Sequence, residues 1–338
     1  MKIIWDWSID SELNRIMQAC RNTGNGFYSL NHFYPLPYSK NRTYDSTGIY
    51  IPDLPYSQLS RFWQSASQLD DHHLPLYVPV SISKFISPYL ERMDIEMPDT
   101  KSLQLEFESI VPKVITFLQS TFPHIIVPTH ITIYPTYFGS AGSFNWITKD
   151  GEIVIYHRID QDICALVECL LTSIMRPLAV STHSATWSET EFLVDFLMTS
   201  SVLSELLPTT SSFKPTLAST RSNHDDLAKS SLQFLQKIGA PLSSAKTFTS
   251  KNGTIYYGQT PLSTLSSRES KIMQKLISVS PSTVSIDEIG DLIFSNDEKF
   301  SLSAIYKTIE RLRKKLATLG ISSSYLATAS GMGYYLKN

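Results

Sequence analysis

The apolar positions of this chain follow two periods, and the change from one to the other marks its elements. Near the end, Ile305, Ile309, Leu312 and Leu316 fall four, three and four residues apart, which places them on one face of a helix over 302–316. Ser303, Lys307, Arg311 and Lys314 take the opposite face, flanked by Arg313 and Lys315. The stretch 325–336 has period-two character and is broken by Gly331-Met332-Gly333, the pattern of a hairpin with a glycine-permitted turn.

Earlier in the chain, Ser8 or Asp10 caps a helix through Cys20 that Gly24-Asn25-Gly26 breaks. Tyr34-Pro35-Leu36-Pro37-Tyr38 reads as extended, and 54–69, 81–91 and 100–122 read as helices, the last stopped before Pro123. Over 124–159 the pattern turns to strands: 130–134 and 152–157 alternate around a turn-like 138–144, which predicts a hairpin or short antiparallel sheet. Helices follow at 161–177 and 188–206, and one more at 223–238 ends at Gly239 and Pro241. The first hundred residues are rich in aromatics, proline and serine, which suits either an irregular layer over a core or an aromatic ligand groove.

These elements predict an α+β chain in three parts. Residues 1–205 form a mainly helical domain with a short antiparallel sheet. Residues 206–245, polar and small around Pro208 and 217–222, form a linker with one helix, and 246–338 form a carboxyl-terminal domain. Length and composition agree: 338 residues suit about two domains, and 42% hydrophobic with 18% charged residues suits a folded protein. Charge adds a direction. From Lys246 onward there are 12 Lys and Arg against 7 Asp and Glu, a balance of +5, while the preceding chain carries 17 against 24, a balance of −7. A basic end on an acidic body suits nucleic-acid contact at the carboxyl end only.

Several chemistries lack their residues. There is no P-loop, no Gly-x-Gly-x-x-Gly after a strand and no Gly-x-Ser-x-Gly elbow. Cys20, Cys164 and Cys169 have neither zinc spacing nor an even disulfide set and read as buried thiols. The best apolar run, 163–175, reads as too short to span a bilayer and contains Glu168, and the opening MKIIWDWSID lacks the shape of a signal peptide. A cytoplasmic protein without membrane contact or cofactor is expected.

In its order of helix, basic helix with Arg311-Leu312-Arg313-Lys314-Lys315-Leu316, then Gly331-Met332-Gly333-Tyr334 hairpin, the last ninety or so residues resemble the OmpR/PhoB-type winged-helix DNA-binding domain. The resemblance implies a winged helix-turn-helix domain over 246–338, with short strands at 247–257, helices at 265–277 (opening on Ser267-Arg268-Glu269) and 285–293, and a recognition helix at 302–319 in the major groove of double-stranded DNA. It implies contacts from Ser303, Ala304, Lys307, Thr308, Arg311, Lys314, Lys315 and Tyr334, with Tyr335 helping Tyr334 to hold the wing. Two positions depart from the family: Ser330 stands where an Arg usually precedes the wing glycines, and Glu310 stands where a basic residue is common. The receiver domain usual in such proteins has no counterpart; Asp70-Asp71 runs into His72-His73 with no apolar strand before it.

A second resemblance covers about 100–205. Gluzincin metallopeptidases carry His-Glu-x-x-His on one helix and Glu-x-x-x-Asp on a later one. The corresponding frame here is Val167-Glu168-Cys169-Leu170-Leu171, with Glu191 and Asp195 following. Val167 and Leu171 cannot ligate zinc, so the resemblance implies a degenerate scaffold without catalytic or metal residues. The plainer reading is a helical pair whose acids Glu189, Glu191 and Asp195 form a solvated face or pair with Arg176; His157 and His183 are the remaining metal candidates. Three functions compete: a DNA-binding transcriptional regulator whose amino-terminal domain senses a ligand or pairs two chains; a protein-interaction module that has lost DNA binding; and an inactive metallopeptidase-like scaffold.

Overall fold

The computed structural model of the protein describes all residues except 41–42, 71–73, 94, 184, 209–213, 221–223, 243–246, 295–300, 330 and 338, and except the side chains of 181–183. Strand β1 (Lys2–Trp5) leads into α1 (Ile9–Gly24), whose amino end is closed by Ser8: the Ser8 hydroxyl accepts the Ser11 N–H. Gly26, at φ +84°, turns the chain into the single-turn α2 (Phe27–Leu30). Strands β2 (Tyr34–Pro37) and β3 (Gly48–Ile51) pair in parallel. The helix expected over 54–69 is instead a 3-10 turn at Tyr56–Gln58 followed by α3 (Phe62–Ser67), because Arg61 between them sits in the left-handed region at φ +60°. Helices α4 (Val80–Arg92) and α5 (Lys101–Thr121) match expectation.

The expected antiparallel sheet is corrected. Strands β4 (His130–Thr136), β5 (Gly142–Phe144) and β6 (Glu152–Arg158) assemble with β1 in the order β1-β4-β6-β5. Both β1–β4 and β4–β6 are parallel, with Ile131 opposite Ile153 and Ile133 opposite Ile155; only β5 runs antiparallel to β6. Alternation along β4 and β6 dictates which side chains are buried but not the direction of a partner, and β1 joins from the other end of the chain.

Helix α6 (Ile163–His183) runs through Pro177 rather than stopping there. Proline removes the helical bond to the carbonyl four residues back, and that carbonyl, on Ser173, accepts the Ile147 N–H at 3.1 Å instead. The segment Ile163–Val180 is long and apolar enough by composition to cross a membrane, so the expectation that no run reaches that length does not hold; 72% of it is buried inside the fold, as in a core helix. Helix α7 (Trp187–Ser200) and a 3-10 turn at Val202–Leu206 cover α6. Between the domains, α8 (Thr216–Thr220) and α9 (Asp225–Lys237) pack onto the amino-terminal body, which buries Leu217, Phe234 and Ile238. Cys20, Cys164 and Cys169 are free and buried.

Two cores fill this body. One lies between the four-stranded sheet and α5, α6 and α7; the other gathers α1, α3, α4, β3 and α9. Polar side chains join them. Arg158, fully buried at the end of β6, donates to Asp160 at 2.6 Å, to the carbonyls of Tyr44 and Gly139 at 3.0 and 3.2 Å and to that of Gly48, and lies over the Tyr50 ring at 4.3 Å. Arg15 on α1 donates to Gln18 and to the carbonyl and hydroxyl oxygens of Ser140. Glu12, one turn earlier, accepts the Trp7 indole and the Tyr137 N–H. Removing a buried guanidinium strands its acceptors. Arg158→Leu is therefore expected to lower stability by about 3–5 kcal/mol, read from the urea midpoint at constant m value.

Candidate nucleic-acid interface

The carboxyl-terminal domain opens on strands β7 (Phe248–Lys251), β8 (Thr254–Tyr257) and β9 (Thr260–Pro261). Helix α10 (Ser267–Val279) starts with a capping box between Ser266 and Glu269; strand β10 (Val284–Ser285) leads to α11 (Ile286–Ile293), capped the same way by Ser285 and Glu288. Helix α12 (Leu302–Thr318) starts at Ser301, whose hydroxyl accepts the Ala304 N–H. The hairpin of β11 (Leu326–Ala329) and β12 (Gly333–Leu336) closes the domain, with β10 adding a third strand beside β12. A Cβ at Gly333 would lie 2.0 Å from the Val284 carbonyl oxygen, so only glycine fits where the hairpin meets β10. Ser330 lies outside the described residues.

Ile305, Ile309, Leu312 and Leu316 are all fully buried, together with Ile272, Leu276, Ile289, Tyr325 and Leu336. Each such side chain contributes roughly 1.5–3 kcal/mol. Their burial turns Ser303, Lys307, Arg311 and Lys314 to solvent along one face, with Ala304 half-buried beside them. Among the described residues, no acidic side chain pairs with Lys307, Arg311 or Lys314; the Arg311 guanidinium lies along the helix, donating to the Lys307 carbonyl and the Thr308 hydroxyl. Glu310 is exposed next to Arg311.

The other sequence-assigned contacts have internal partners. Thr308 is buried, and its hydroxyl donates to the Ala304 carbonyl at 2.7 Å. Lys315 is held by Glu269 at 2.6 Å and by the Thr264 carbonyl at 3.0 Å, which staples α12 to the start of α10. Tyr334 is buried, with the Arg313 guanidinium 5.7 Å from the centre of its ring. Arg313, not assigned a contact from the sequence, donates to the Leu326 carbonyl and the Thr328 hydroxyl and so ties the helix to the wing. Its signal was its place between the exposed and apolar faces, where a long side chain reaches the neighbouring strand.

This is a winged helix-turn-helix with an exposed cationic row on its last helix, free of carboxylate partners among the described residues. The family model described as "Transcriptional regulatory protein, C terminal" matches residues 259–336, which supports the winged-helix reading of this segment and its similarity to OmpR/PhoB-type DNA-binding domains. No curated protein and no solved structure matches the chain.

The domain rests against the body through the turn that follows α12. The Ser322 N–H donates to the Asn25 carbonyl at 3.0 Å, the Asn31 amide reaches the Ser324 hydroxyl at 3.4 Å, and Leu30 of α2 packs on the winged-helix core. Gly320 lies against Ser67: a Cβ there would come within 2.8 Å of its hydroxyl oxygen. None of the cationic row takes part in these contacts.

The second frame singled out from the sequence lies on α6 and α7. Val167 and Leu171 are fully buried in the core. Glu168 points away from solvent and accepts both the N–H and the hydroxyl of Thr216, at 2.7 and 2.9 Å. Glu191 is buried rather than solvated. Glu189 belongs to the Thr186 capping box, and Asp195 accepts the Ala218 N–H at 3.1 Å. His157 is buried on β6, with Nε2 3.1 Å from the Gln161 carbonyl; the His183 side chain lies outside those described. Among the described residues no group of three or more His, Cys, Asp or Glu is arranged to hold a metal ion.

Burial pushes the Glu191 carboxyl up to about 8, against the pull of Arg176, and raises Glu168 as well, helped by the Glu191 charge. A carboxyl raised on folding stabilises the fold at low pH and loses that contribution as pH climbs through its folded value. Glu191→Gln, which keeps the neutral form, is expected to flatten the pH dependence. From pH 5 to 9 the wild type should lose on the order of 3 kcal/mol relative to the variant. Urea midpoints of both proteins across that range check this; parallel curves contradict it.

Proposed function

We propose that the chain is a DNA-binding transcriptional regulator, with α12 read into the major groove and the amino-terminal body sensing a ligand or pairing two chains. The observation that carries this reading is the row Lys307, Arg311 and Lys314. It is exposed and free of carboxylate partners among the described residues, on the last helix of a domain that matches a transcriptional regulatory family. Three cations at helical spacing track a phosphate backbone, and Ser303 and Ala304 at the amino end of α12 stand where a recognition helix meets base edges. Lys315, Thr308 and Tyr334 act in this reading by setting the pose of α12 and the wing. Cytoplasmic location, without membrane contact or cofactor, belongs to the same proposal.

Exposed Glu310 on the cationic side favours a second reading, a docking module for an acidic protein partner. Duplex DNA that fails to compete for that partner would select it. The α6–α7 pair is read as a scaffold without hydrolytic chemistry, because Val167 and Leu171 offer no ligand atoms and both oxygens of Glu168 are taken by Thr216.

The test is Lys307→Ala combined with Arg311→Ala in the full chain. Losing two phosphate contacts is expected to weaken duplex binding at least about tenfold and to reduce the salt slope by about 2. Retention of duplex DNA identical to wild type at each salt concentration would overturn the assignment.

A further inference from the structure

A cleft of about 220 Å³ opens between α9 and the α2–β2 corner of the body. Its lining includes Tyr28, Phe33 and Tyr34 on one side and Leu232 and Leu235 on the other, with the buried Ser231 beside Leu232. Leu232 is 47% exposed although it faces this apolar surface. The chain enters the β2 wall through His32, held at φ +56°, a conformation that costs a non-glycine residue energy and is concentrated at binding and switch sites. Among the described residues no Asp, Glu, Lys or Arg lines the cleft, and His32 does. The Tyr34 ring lies 5.8 Å from that of His224, which stands 3.9 Å from Asp45.

We propose that this cleft is an effector site for a small, uncharged, ring-bearing molecule, whose occupancy is transmitted to the winged helix through α2. The proposal rests on the regulator reading and assigns its sensing function a location. Size sets the ligand: pockets for drug-sized molecules run to ~300–1,000 Å³, so this cleft takes one or two fused rings. Chemistry agrees, since aromatic and aliphatic walls bind ring faces. Transmission follows from α2 being a single turn. Tyr28 and Ser29 line the cleft, while Leu30 packs on the winged-helix core and Asn31 reaches Ser324. A ring that shifts the first pair shifts the second.

The experiment uses the full chain with indole as the uncharged probe and indole-3-carboxylate as its anionic counterpart, followed by ligand-observed NMR titration. Indole is expected to bind in the millimolar range or tighter and indole-3-carboxylate at least fivefold more weakly. Leu232→Trp, which fills the cleft from an exposed position, is expected to weaken indole at least fivefold while melting within a few degrees of wild type. If that variant fails to fold, Ala228→Trp on the exposed side of α9 gives the same test. Saturating indole is expected to change duplex affinity at least threefold in wild type and not in the filled variant. Indole binding equal in wild type and filled variant, or absent at millimolar probe, overturns the effector site while leaving DNA binding to stand on its own titration. Indole binding blocked by the filled variant, in a chain that retains no duplex, removes the regulator reading and with it the coupling, and confirms the cleft alone.

Discussion

Ile305, Ile309, Leu312 and Leu316 have to leave water together, and a helix is the one regular structure that brings residues at that spacing to a single line. Everything functional in the carboxyl-terminal domain follows from that constraint. Once the apolar line is down, Lys307, Arg311 and Lys314 can only point outward, and Arg313 and Lys315 fall on the two flanks. The flanking cations become fasteners: Lys315 to Glu269 on α10, Arg313 to Leu326 and Thr328 on the wing. A run of four basic residues in five thus divides into a pair left for a partner and a pair spent on holding the recognition helix and wing in one pose.

The body presents this pose rather than merely carrying it on a tether. Helices α8 and α9, in the stretch the sequence suggested as a linker, contribute Leu217, Phe234 and Ile238 to the interior of the body. The winged helix is gripped at 320–325 by the α1–α2 corner and α3. Most of these contacts are made by backbone groups and short side chains. Such an interface is less costly to rearrange than an apolar one. The body's own rigidity comes from elsewhere, in the buried guanidinium of Arg158 and its ring of carbonyl acceptors, which join the end of the sheet to β3 and the loop after β4.

How far this could be read from the residues depended on whether the signal was local. Whereas α10 and α11 were placed by the family resemblance, helix α12 and the closing hairpin were legible because period and turn glycines lie within each element. The parallel pairing of β1 with β4 was not, since β1 is four residues long and its partner lies at 130–136. Nor was the break at Arg61, where tertiary packing holds a non-glycine residue in the left-handed region, or the continuation of α6 past Pro177, which depends on Ile147 supplying a donor from another element. At the site, the exposed row was readable from helical spacing. That Thr308 and Tyr334 are buried and Lys315 is engaged was not, because each depends on a neighbour brought in by the fold.

The measurement closest to the central claim is selection of random-sequence duplex DNA on the full chain at two salt concentrations, followed by sequencing of what is retained. The account predicts an enriched motif, retention that falls steeply as salt rises, and a half-site spacing that reports whether one or two copies of the chain bind. Absence of enrichment together with absence of retention at low salt would contradict it, and would mean that the cationic row of α12 serves a partner other than DNA.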